Sequence, residues 1–371
     1  MRYKLKEIFD LQMGKTPSRN NSEYWNTKDY KWISIADLSQ TGKYISDTKE
    51  YLSDSAVKES GIKVIPVNTV VMSFKLSIGK TAITAEDMYS NEAIMAFHDK
   101  HVVEMIPEYI YYMFLYKNWD EGSNKAVMGK TLNKATLSEI EIEICPVAEQ
   151  KEIVNVLDKV TEILSNREKE LKLLDDLIKS RFVEMFGNPI LNEKGWETDT
   201  VEKLCKEIYG GGTPSKSHPE YYEDGDIPWV SSKDMKTNVL IDSQIKINQL
   251  GVDNSTARMV PVNSVIMVIR SGILKHTLPV AINAVPITVN QDLKVFIPNE
   301  RVLTRFLAVQ FKMHEKDILS GVRAVTADNI EFNFLKQREL IVPPIELQQE
   351  YVTFLEQIDK SKLQIQKVAY A

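Results

Sequence analysis

A long stretch in the middle of the chain carries apolar residues at helical spacing. Residues 149–186 contain no proline or glycine, Pro146 precedes them and Gly187-Asn188-Pro189 follows. The apolar positions are three or four residues apart, with one interruption at Arg167. This spacing predicts a coiled-coil helix of about 38 residues, roughly 55 Å long. Its apolar positions are Ile153, Leu157, Val160, Leu164, Leu171, Leu174, Ile178 and Met185.

A second, shorter apolar stripe closes the sequence. Within residues 347–368 it consists of Tyr351, Leu355, Ile358, Ile365 and Val368. Two such stripes in one chain can bury each other. We therefore expect an antiparallel coiled coil rather than two separate surface helices.

The stretches before each stripe, roughly residues 1–145 and 195–343, combine strand and helix patterns. Short apolar runs follow a Pro-x-Asn turn at residues 70–72 and 265–267, which predicts buried strands. Each stretch is thus predicted to be an α/β domain. The predicted fold class of the whole chain is α+β, with these two domains separated by the long helices. Further strands are predicted at 140–144 and 340–342, and helices at 109–116 and 302–311.

The same order of motifs occurs twice. GKTPSRNNSEYW, beginning at Gly14, aligns without a gap with GGTPSKSHPEYY, beginning at Gly211. Trp-x-Ser-x-x-Asp follows each, and the order continues to Pro-x-x-Glu-Gln in the first copy and Pro-x-x-x-Gln in the second. A repeat this long indicates a domain duplication. The predicted bounds are 1–145 and 188–343 for the two domains, and 146–187 and 344–371 for the two helical regions.

Composition and charge narrow the class of protein. The chain has 371 residues, 43% of them apolar and 26% charged, and its formal net charge is -6. The acidic balance argues weakly against a nucleic-acid partner, although the local field on a contact face matters more than the total. Two unrelated cysteines, no long apolar run and a charged N-terminus favour a cytoplasmic protein without a membrane segment.

The sequence lacks the motifs of common catalytic sites. GGGTPSKS, residues 210–217, places Ser215 where a phosphate-binding loop needs its second glycine. The five histidines lack metal-site spacing, and Asn188-Pro189-Ile190 lacks the second proline and the aromatic residue of a base-flipping methyltransferase loop. We therefore expect no catalytic and no metal-binding residues. Thr-Pro-Ser is interpreted as a structural turn whose hydroxyls bond nearby backbone.

The duplicated motifs and the two helices resemble the specificity (S) subunit of type I restriction-modification systems. The residues that carry the resemblance are Gly-x-Thr-Pro-Ser and Trp-[Ile/Val]-Ser-x-x-Asp in each copy, Pro-x-x-Glu-Gln-x-x-Ile-Val-x-x-Leu-Asp at 146–158, Pro-x-x-x-Gln-x-x-Tyr-Val-x-x-Leu at 344–355, and RFVEMFG at 181–187. The resemblance covers essentially the whole chain.

The resemblance implies a pseudo-two-fold protein. Its two target-recognition domains would read the halves of a split duplex DNA site, separated by an antiparallel coiled coil. It further implies two methyltransferase (M) subunits that bind S-adenosylmethionine and methylate adenine, and restriction (R) subunits that use ATP and Mg²⁺ for cleavage. This chain would hold no cofactor and catalyse nothing.

Candidate DNA contacts are basic or polar loop residues that differ between the copies, because the two half-sites would differ. The paired tryptophans Trp32 and Trp229 are instead expected in the core, and Asn91 and Asn290 in structural turns. The DNA candidates are Lys15, Arg19, Lys75, Ser77, Lys80, Lys130, Lys216, Lys233, Arg270, Ser271, Lys275, His276 and Arg323.

Candidate partner contacts lie on the two helical regions. From the residues alone, those at the helix starts are first-turn groups and caps; the resemblance adds a role in binding M subunits. Three alternatives stay open: a protein-interaction scaffold without a DNA role, a nucleotide-dependent enzyme, and a shortened, inactive specificity cassette. The partner candidates are Glu149, Gln150, Arg181, Phe182, Gln348 and Gln349.

Overall fold

A computed structural model describes residues 1–25, 27–75, 77–119, 132–321, 323–324 and 328–369, with the backbone alone for residues 323, 324, 328, 368 and 369. The chain forms two compact units, Met1–Ser165 and Asn166–Ala371. The boundary between them falls inside the longest helix of the described residues.

Unit 1 is an α/β domain followed by the first part of that helix. Its strands are β1 (Arg2–Lys4), β2 (Phe9–Met13), β3 (Tyr30–Ile33), β4 (Tyr44–Ile45), β5 (Glu50–Leu52), β6 (Val70–Ser73), β7 (Thr81–Thr84), β8 (Tyr89–Ser90), β9 (Ile94–Asp99) and β10 (Glu141–Glu143). Its helices are α1 (Leu5–Ile8), α2 (Ile35–Leu38), α3 (Asp54–Ser60), α4 (Pro107–Tyr116) and α5 (Lys134–Ser138), with a 3-10 turn at Ser22–Tyr24. The long helix is α6 (Val147–Phe186).

Unit 2 contains the rest of α6 and a second α/β domain. Its strands are β11 (Thr198–Thr200), β12 (Cys205–Gly210), β13 (Ile227–Val230), β14 (Val239–Leu240), β15 (Lys246–Ile247), β16 (Val265–Val268), β17 (Val280–Asn283), β18 (Thr288–Val289), β19 (Leu293–Pro298), β20 (Arg323–Ala324), β21 (Asp328–Asn329) and β22 (Glu339–Ile341). Its helices are α7 (Val201–Leu204), α8 (Gln249–Asp253), α9 (Thr304–Met313), α10 (Glu315–Ser320), α11 (Phe332–Lys336) and α12 (Ile345–Ala369), with 3-10 turns at Pro219–Tyr221 and Gly272–Lys275.

The sheets of the two units have the same strand order, which confirms the duplication. Unit 1 has a five-stranded sheet ordered β2-β9-β6-β7-β4, and unit 2 has the corresponding order β12-β19-β16-β17-β14. In both, the last strand joins parallel and the others are antiparallel. A three-stranded sheet (β5-β3-β8 or β15-β13-β18) and a two-stranded one (β1-β10 or β11-β22) complete the match.

The predicted turns and strands at the centre of each sheet are confirmed. Strands β6 and β16 are buried throughout. Asn68 and Asn263, which end the Pro-x-Asn turns before them, have φ angles of 62° and 65°. Asparagine tolerates this left-handed conformation better than most residues, so it suits a tight turn that leads into a buried strand.

The end of α6 is part of the core of unit 2. Phe182 and Phe186 are fully buried, and the Phe182 ring lies 5.7 Å from that of Phe306 and 5.5 Å from that of Tyr351. The RFVEMFG segment, residues 181–187, therefore contributes apolar side chains to the interior. Phe182 was predicted to contact a partner. Its side chain is buried, so that prediction is wrong.

Within unit 2, α6 and α12 run antiparallel, as predicted. Tyr351 Oη donates to the Ile178 carbonyl at 2.9 Å, and Arg181 forms an ion pair with Glu350 at 3.1 Å. Further along α12, Lys362 pairs at 2.5 Å with Asp175, which lies earlier in α6. Contacts that advance along one helix while receding along the other define antiparallel packing.

The predicted apolar seam of α6 is not buried along its whole length. Val160 and Leu164 are 46% and 42% exposed, and Val156 and Ile163 beside them are 58% and 51% exposed. The helix has 40 residues, whereas α12 has 25, so α12 is too short to pair with all of it. Val160 and Leu164, predicted as apolar positions of the coiled coil, are therefore not buried.

Candidate nucleic-acid interface

Four chain segments meet in unit 1 beside the turn that follows β8. The Gly-x-Thr-Pro-Ser segment enters through Lys15, whose N–H donates to the Ser90 carbonyl at 2.8 Å. Asn91 N donates to the Ile33 carbonyl at 3.1 Å, which brings in the Trp-x-Ser-x-x-Asp segment. The loop after β6 joins through a bond from Phe74 N to the carbonyl of Ala93, 3.0 Å long.

Unit 2 repeats this junction with its own residues. Gly212 N donates to the Val289 carbonyl at 3.0 Å, and Asn290 N donates to the Val230 carbonyl at 2.9 Å. The loop after β16 joins through Ile269 N, 2.9 Å from the Asp292 carbonyl. We call each arrangement of four segments a loop junction: residues 14–19, 33–37, 73–75 and 90–93 in unit 1, and residues 211–216, 230–234, 268–271 and 289–292 in unit 2.

The first glycine of each Gly-x-Thr-Pro-Ser motif is required by close backbone contact. A Cβ at Gly14 would lie 2.1 Å from the Asn91 carbonyl oxygen. A Cβ at Gly211 would lie 1.8 Å from the Val289 carbonyl oxygen. No side chain fits at either distance, so glycine is what allows the segment to close against the turn.

The order of Trp, Ser and Asp that the two copies share also has a structural cause. Trp32 and Trp229 are 2% and 6% exposed, and their indole N–H groups donate to carbonyls of the neighbouring Gly-x-Thr-Pro-Ser segment at 3.1 and 2.9 Å. Their predicted place in the core is confirmed. In each junction the Asp side chain accepts from the backbone N–H of the Ser at 2.8 Å, which closes the turn.

The asparagines form turns, as predicted. Asn91 Oδ1 accepts from Ala93 N at 3.0 Å, and Asn290 Oδ1 accepts from Asp292 N at 3.1 Å. The threonine hydroxyls behave differently from the prediction. Thr16 and Thr213 donate to the side chains of the residues after these asparagines, not to backbone.

The junction of unit 1 combines a carboxylate with cations. The Thr16 hydroxyl donates to Glu92 and, together with the nearby charges of Lys75 and Arg19, lowers the pKa of that carboxyl. Arg19 is already paired with Glu50 and lies 3.8 Å above the Trp25 ring. Lys75 forms no ion pair with any residue that the structure describes.

The junction of unit 2 brings two predicted residues to one strand pair. Arg270 forms a β-bridge with Asn329, and Arg323 pairs in register with the same Asn329. The Arg270 guanidinium binds Asp292, with Nε 2.7 Å from Oδ1. This ion pair fixes the orientation of the Arg270 side chain and compensates part of its charge. Any DNA contact by Arg270 would therefore be made by a guanidinium that is already oriented.

Lys294 is a basic residue beside this junction that sequence reasoning missed. It lies in β19 opposite Gly210, and its ammonium is 4.5 Å from the centre of the Phe332 ring. A Cβ at Gly210 would come within 2.7 Å of the Lys294 Nζ, so that glycine leaves room for it. Burial and then the charge of Arg270 lower the pKa of Lys294. The DNA contacts were all predicted as loop residues, and the signal for Lys294 is a lysine within an otherwise apolar strand.

The remaining DNA candidates are distributed around the two junctions and nearby turns. Lys15 and Lys80 bond the Ser60 carbonyl and the Ser39 hydroxyl, respectively. Ser271 caps the following 3-10 turn. Lys130 lies outside the described residues. Those with exposed side chains are Ser77, Lys216, Lys233, Lys275 and His276.

Two of the predicted partner contacts are internal clamps. Gln150 and Gln348 are both fully buried, and each makes three hydrogen bonds to backbone inside its own unit. A side chain enclosed in this way has no surface to offer, so both predictions are wrong. Arg181 is half-buried and bound to Glu184 and Glu350. Glu149 and Gln349 are exposed, and their role stays a prediction.

The described part of the chain contains neither a candidate metal-ion site nor a candidate membrane-spanning helix. No group of three or more His, Cys, Asp or Glu side chains is placed to bind a metal ion there. No helix in that part combines the length and the apolar character needed to span a bilayer.

The sequence matches the family described as "Type I restriction modification DNA specificity domain" twice, over residues 1–173 and 193–369. The first match takes in the loop junction of unit 1 and the larger part of α6, and the second takes in the loop junction of unit 2 and α12. The chain belongs to this specificity family. The family assignment agrees with the resemblance that the motifs carry.

Relatives and solved structures of this family match between about two thirds and the whole of the chain. A type I restriction enzyme MjaIX specificity subunit from Methanocaldococcus jannaschii is 26% identical, covering 98% of this chain and 88% of the relative. The Escherichia coli EcoR124I/EcoR124II specificity subunit is 32% identical over 68% of this chain and 63% of its own length. A type I S subunit structure from M. genitalium covers 100% of this chain and 92% of its own at a TM-score of 0.57 and 14% identity. A chain from a structure of type I system assembly covers the same shares at a TM-score of 0.61 and 15% identity, and both support the fold.

Proposed function

We propose that this chain is the DNA-recognition subunit of a type I restriction-modification complex and reads a split duplex site. Each unit reads one half through its loop junction. The observation that carries the proposal is that the two junctions share their backbone bonds while their exposed side chains differ. Backbone bonds that the two copies share, combined with surface residues that differ between them, are the arrangement expected for two readers of different half-sites.

The basic residues of the junctions supply the contacts to DNA. Lys75 in unit 1 and Arg270 in unit 2 occupy equivalent positions after the central strand, where a lysine contacts phosphate or guanine and an arginine can fork onto guanine. Lys294 adds a second cation beside Arg270. Local positive charge of this kind offsets the net charge of -6.

Catalysis belongs to the partners in this proposal. Two M subunits bind S-adenosylmethionine and methylate adenine, and R subunits use ATP and Mg²⁺ to cleave. This chain supplies neither a catalytic residue nor a cofactor, and works with them in the cytoplasm. The exposed apolar residues of α6, together with Glu149 and Gln349, support docking of M subunits on the helices.

A methylome tests the proposal. The chain is expressed with the methyltransferase subunit encoded beside it in a host that lacks adenine methylation, and the modified bases are read by sequencing. We expect methyladenine in a motif of two short halves with a gap of fixed length. Replacing residues 1–145 with those of a relative should change one half of the motif and leave the other half intact.

Substitutions separate recognition from simple scaffolding. Lys75→Gln and Arg270→Gln should weaken methylation, each through its own half-site, while the complex with the M subunit still forms. A scaffold without a DNA role would retain its partner and yield no motif in any variant. Absence of a motif for the wild-type complex, with the two subunits co-purifying, would contradict the proposal.

A further inference from the structure

Glu92 and Gln291 occupy the same place in the two loop junctions. Each directly follows the turn asparagine, and each side chain is exposed. Each accepts a hydrogen bond from the threonine of its Gly-x-Thr-Pro-Ser motif, Thr16 in unit 1 and Thr213 in unit 2. The two residues thus share their backbone position and their contact with a threonine hydroxyl, but one is a carboxylate and the other an amide.

The structure of the loop explains only the shared part. A threonine hydroxyl needs one acceptor oxygen, and both glutamate and glutamine provide one. The negative charge of Glu92 is therefore not needed to close the loop. The same holds for the amide nitrogen of Gln291, for which the described residues provide no hydrogen-bond acceptor.

The surroundings favour a ligand contact for both groups. Arg19 and Lys75 contribute positive charge around Glu92, and Arg270 and Lys294 lie near the equivalent turn in unit 2. A carboxylate at a DNA surface is repelled by phosphates, so it is tolerated where it accepts a hydrogen bond from a base amine. These cations reduce that repulsion.

We propose that Glu92 and Gln291 are specificity-determining residues that contact base edges with opposite hydrogen-bonding polarity. Glu92, an acceptor only, pairs with an exocyclic amine, the N4 of cytosine or the N6 of adenine. Gln291, whose Oε1 is occupied by Thr213, offers its N–H to an acceptor, O6 or N7 of guanine or O4 of thymine. This proposal rests on the proposed function and deepens it.

The exchange of the two groups tests the proposal. Glu92→Gln and Gln291→Glu keep the volume and the acceptor for threonine, and reverse the polarity of the free group. Purified complexes with the M subunit are titrated, at one salt concentration, with duplexes that carry the wild-type motif or one substituted base pair in either half. Glu141→Gln removes the same charge elsewhere on unit 1 and is the matched control.

We expect Glu92→Gln to change the base preference at one position of one half by about 5- to 150-fold, and Gln291→Glu to do the same in the other half. The control should retain the wild-type preference. An unchanged preference in both variants would overturn the proposal. So would a uniform loss of affinity for every duplex, because that assigns the side chains to loop support alone. A wild-type complex that binds no duplex selectively would instead refute the proposed function itself.

Discussion

Removing the Gln348 side chain should destabilise unit 2 far more than removing the side chain of Gln349. Gln348 Oε1 accepts from Leu303 N at 2.9 Å, and its Nε2 donates to the carbonyls of Arg301 and Pro343 at 2.9 and 2.8 Å. The side chain is fully buried. It thereby joins the start of α12 to the turn before α9. Gln349, the next residue, is exposed.

The magnitude follows from the number of backbone groups left without a partner. Gln348→Ala would leave one N–H and two carbonyls unsatisfied in the interior, at about 1–3 kcal/mol each. Because water can enter the vacated space and satisfy part of this set, we expect a total loss of about 3–5 kcal/mol. Gln349→Ala should stay within about 0.5 kcal/mol of wild type.

Urea unfolding of both variants measures the difference, and hydrogen exchange of the amides around Leu303 locates it. Gln348→Glu adds a test at constant volume. Its second oxygen would face two carbonyls, so only the protonated acid could donate there, and to one carbonyl alone. We therefore expect its destabilisation to grow as pH rises above about 4.3. Equal urea midpoints for Gln348→Ala and Gln349→Ala would refute the claim that the hydrogen bonds of Gln348 stabilise unit 2.

Two further predictions concern buried groups. His314 is 2% exposed, its ring nitrogens have no hydrogen-bond partner among the described residues, and burial together with the Arg338 charge lowers its pKa to about 4. Protonation of His314 thus favours the unfolded chain. The free energy of unfolding should therefore be highest above about pH 6.5 and fall by about 3 kcal/mol towards pH 4. Urea midpoints measured across this range should decline less in His314→Leu. Gly14→Ala, whose Cβ would meet the Asn91 carbonyl, should lower the free energy of unfolding by more than about 2 kcal/mol, whereas Gly42→Ala, with open space around it, should stay within about 0.5 kcal/mol in the same unfolding assay.

Local patterns in the sequence predicted much of the fold. Apolar runs after Pro-x-Asn gave the central strands, and three-four spacing gave α6 and α12, because side-chain periodicity is a property of a short segment. The repeated motifs indicated the duplication. The core positions of Trp32 and Trp229 followed from their presence in two readers that should differ in specificity.

The tertiary structure decided what depends on partners distant in the chain. Gln150 and Gln348 look like surface caps in sequence, yet each is buried, because the N–H that its Oε1 accepts from and one of the two carbonyls that its Nε2 donates to come from a turn more than forty positions earlier. Lys294 lies in a strand that would be taken for core, and there is room for its ammonium beside β12 because Gly210 on that strand has no side chain. Sequence spacing specifies which face of an element is apolar. Which polar groups remain free for DNA is settled only when the segments pack, since packing determines which hydrogen bonds are already made.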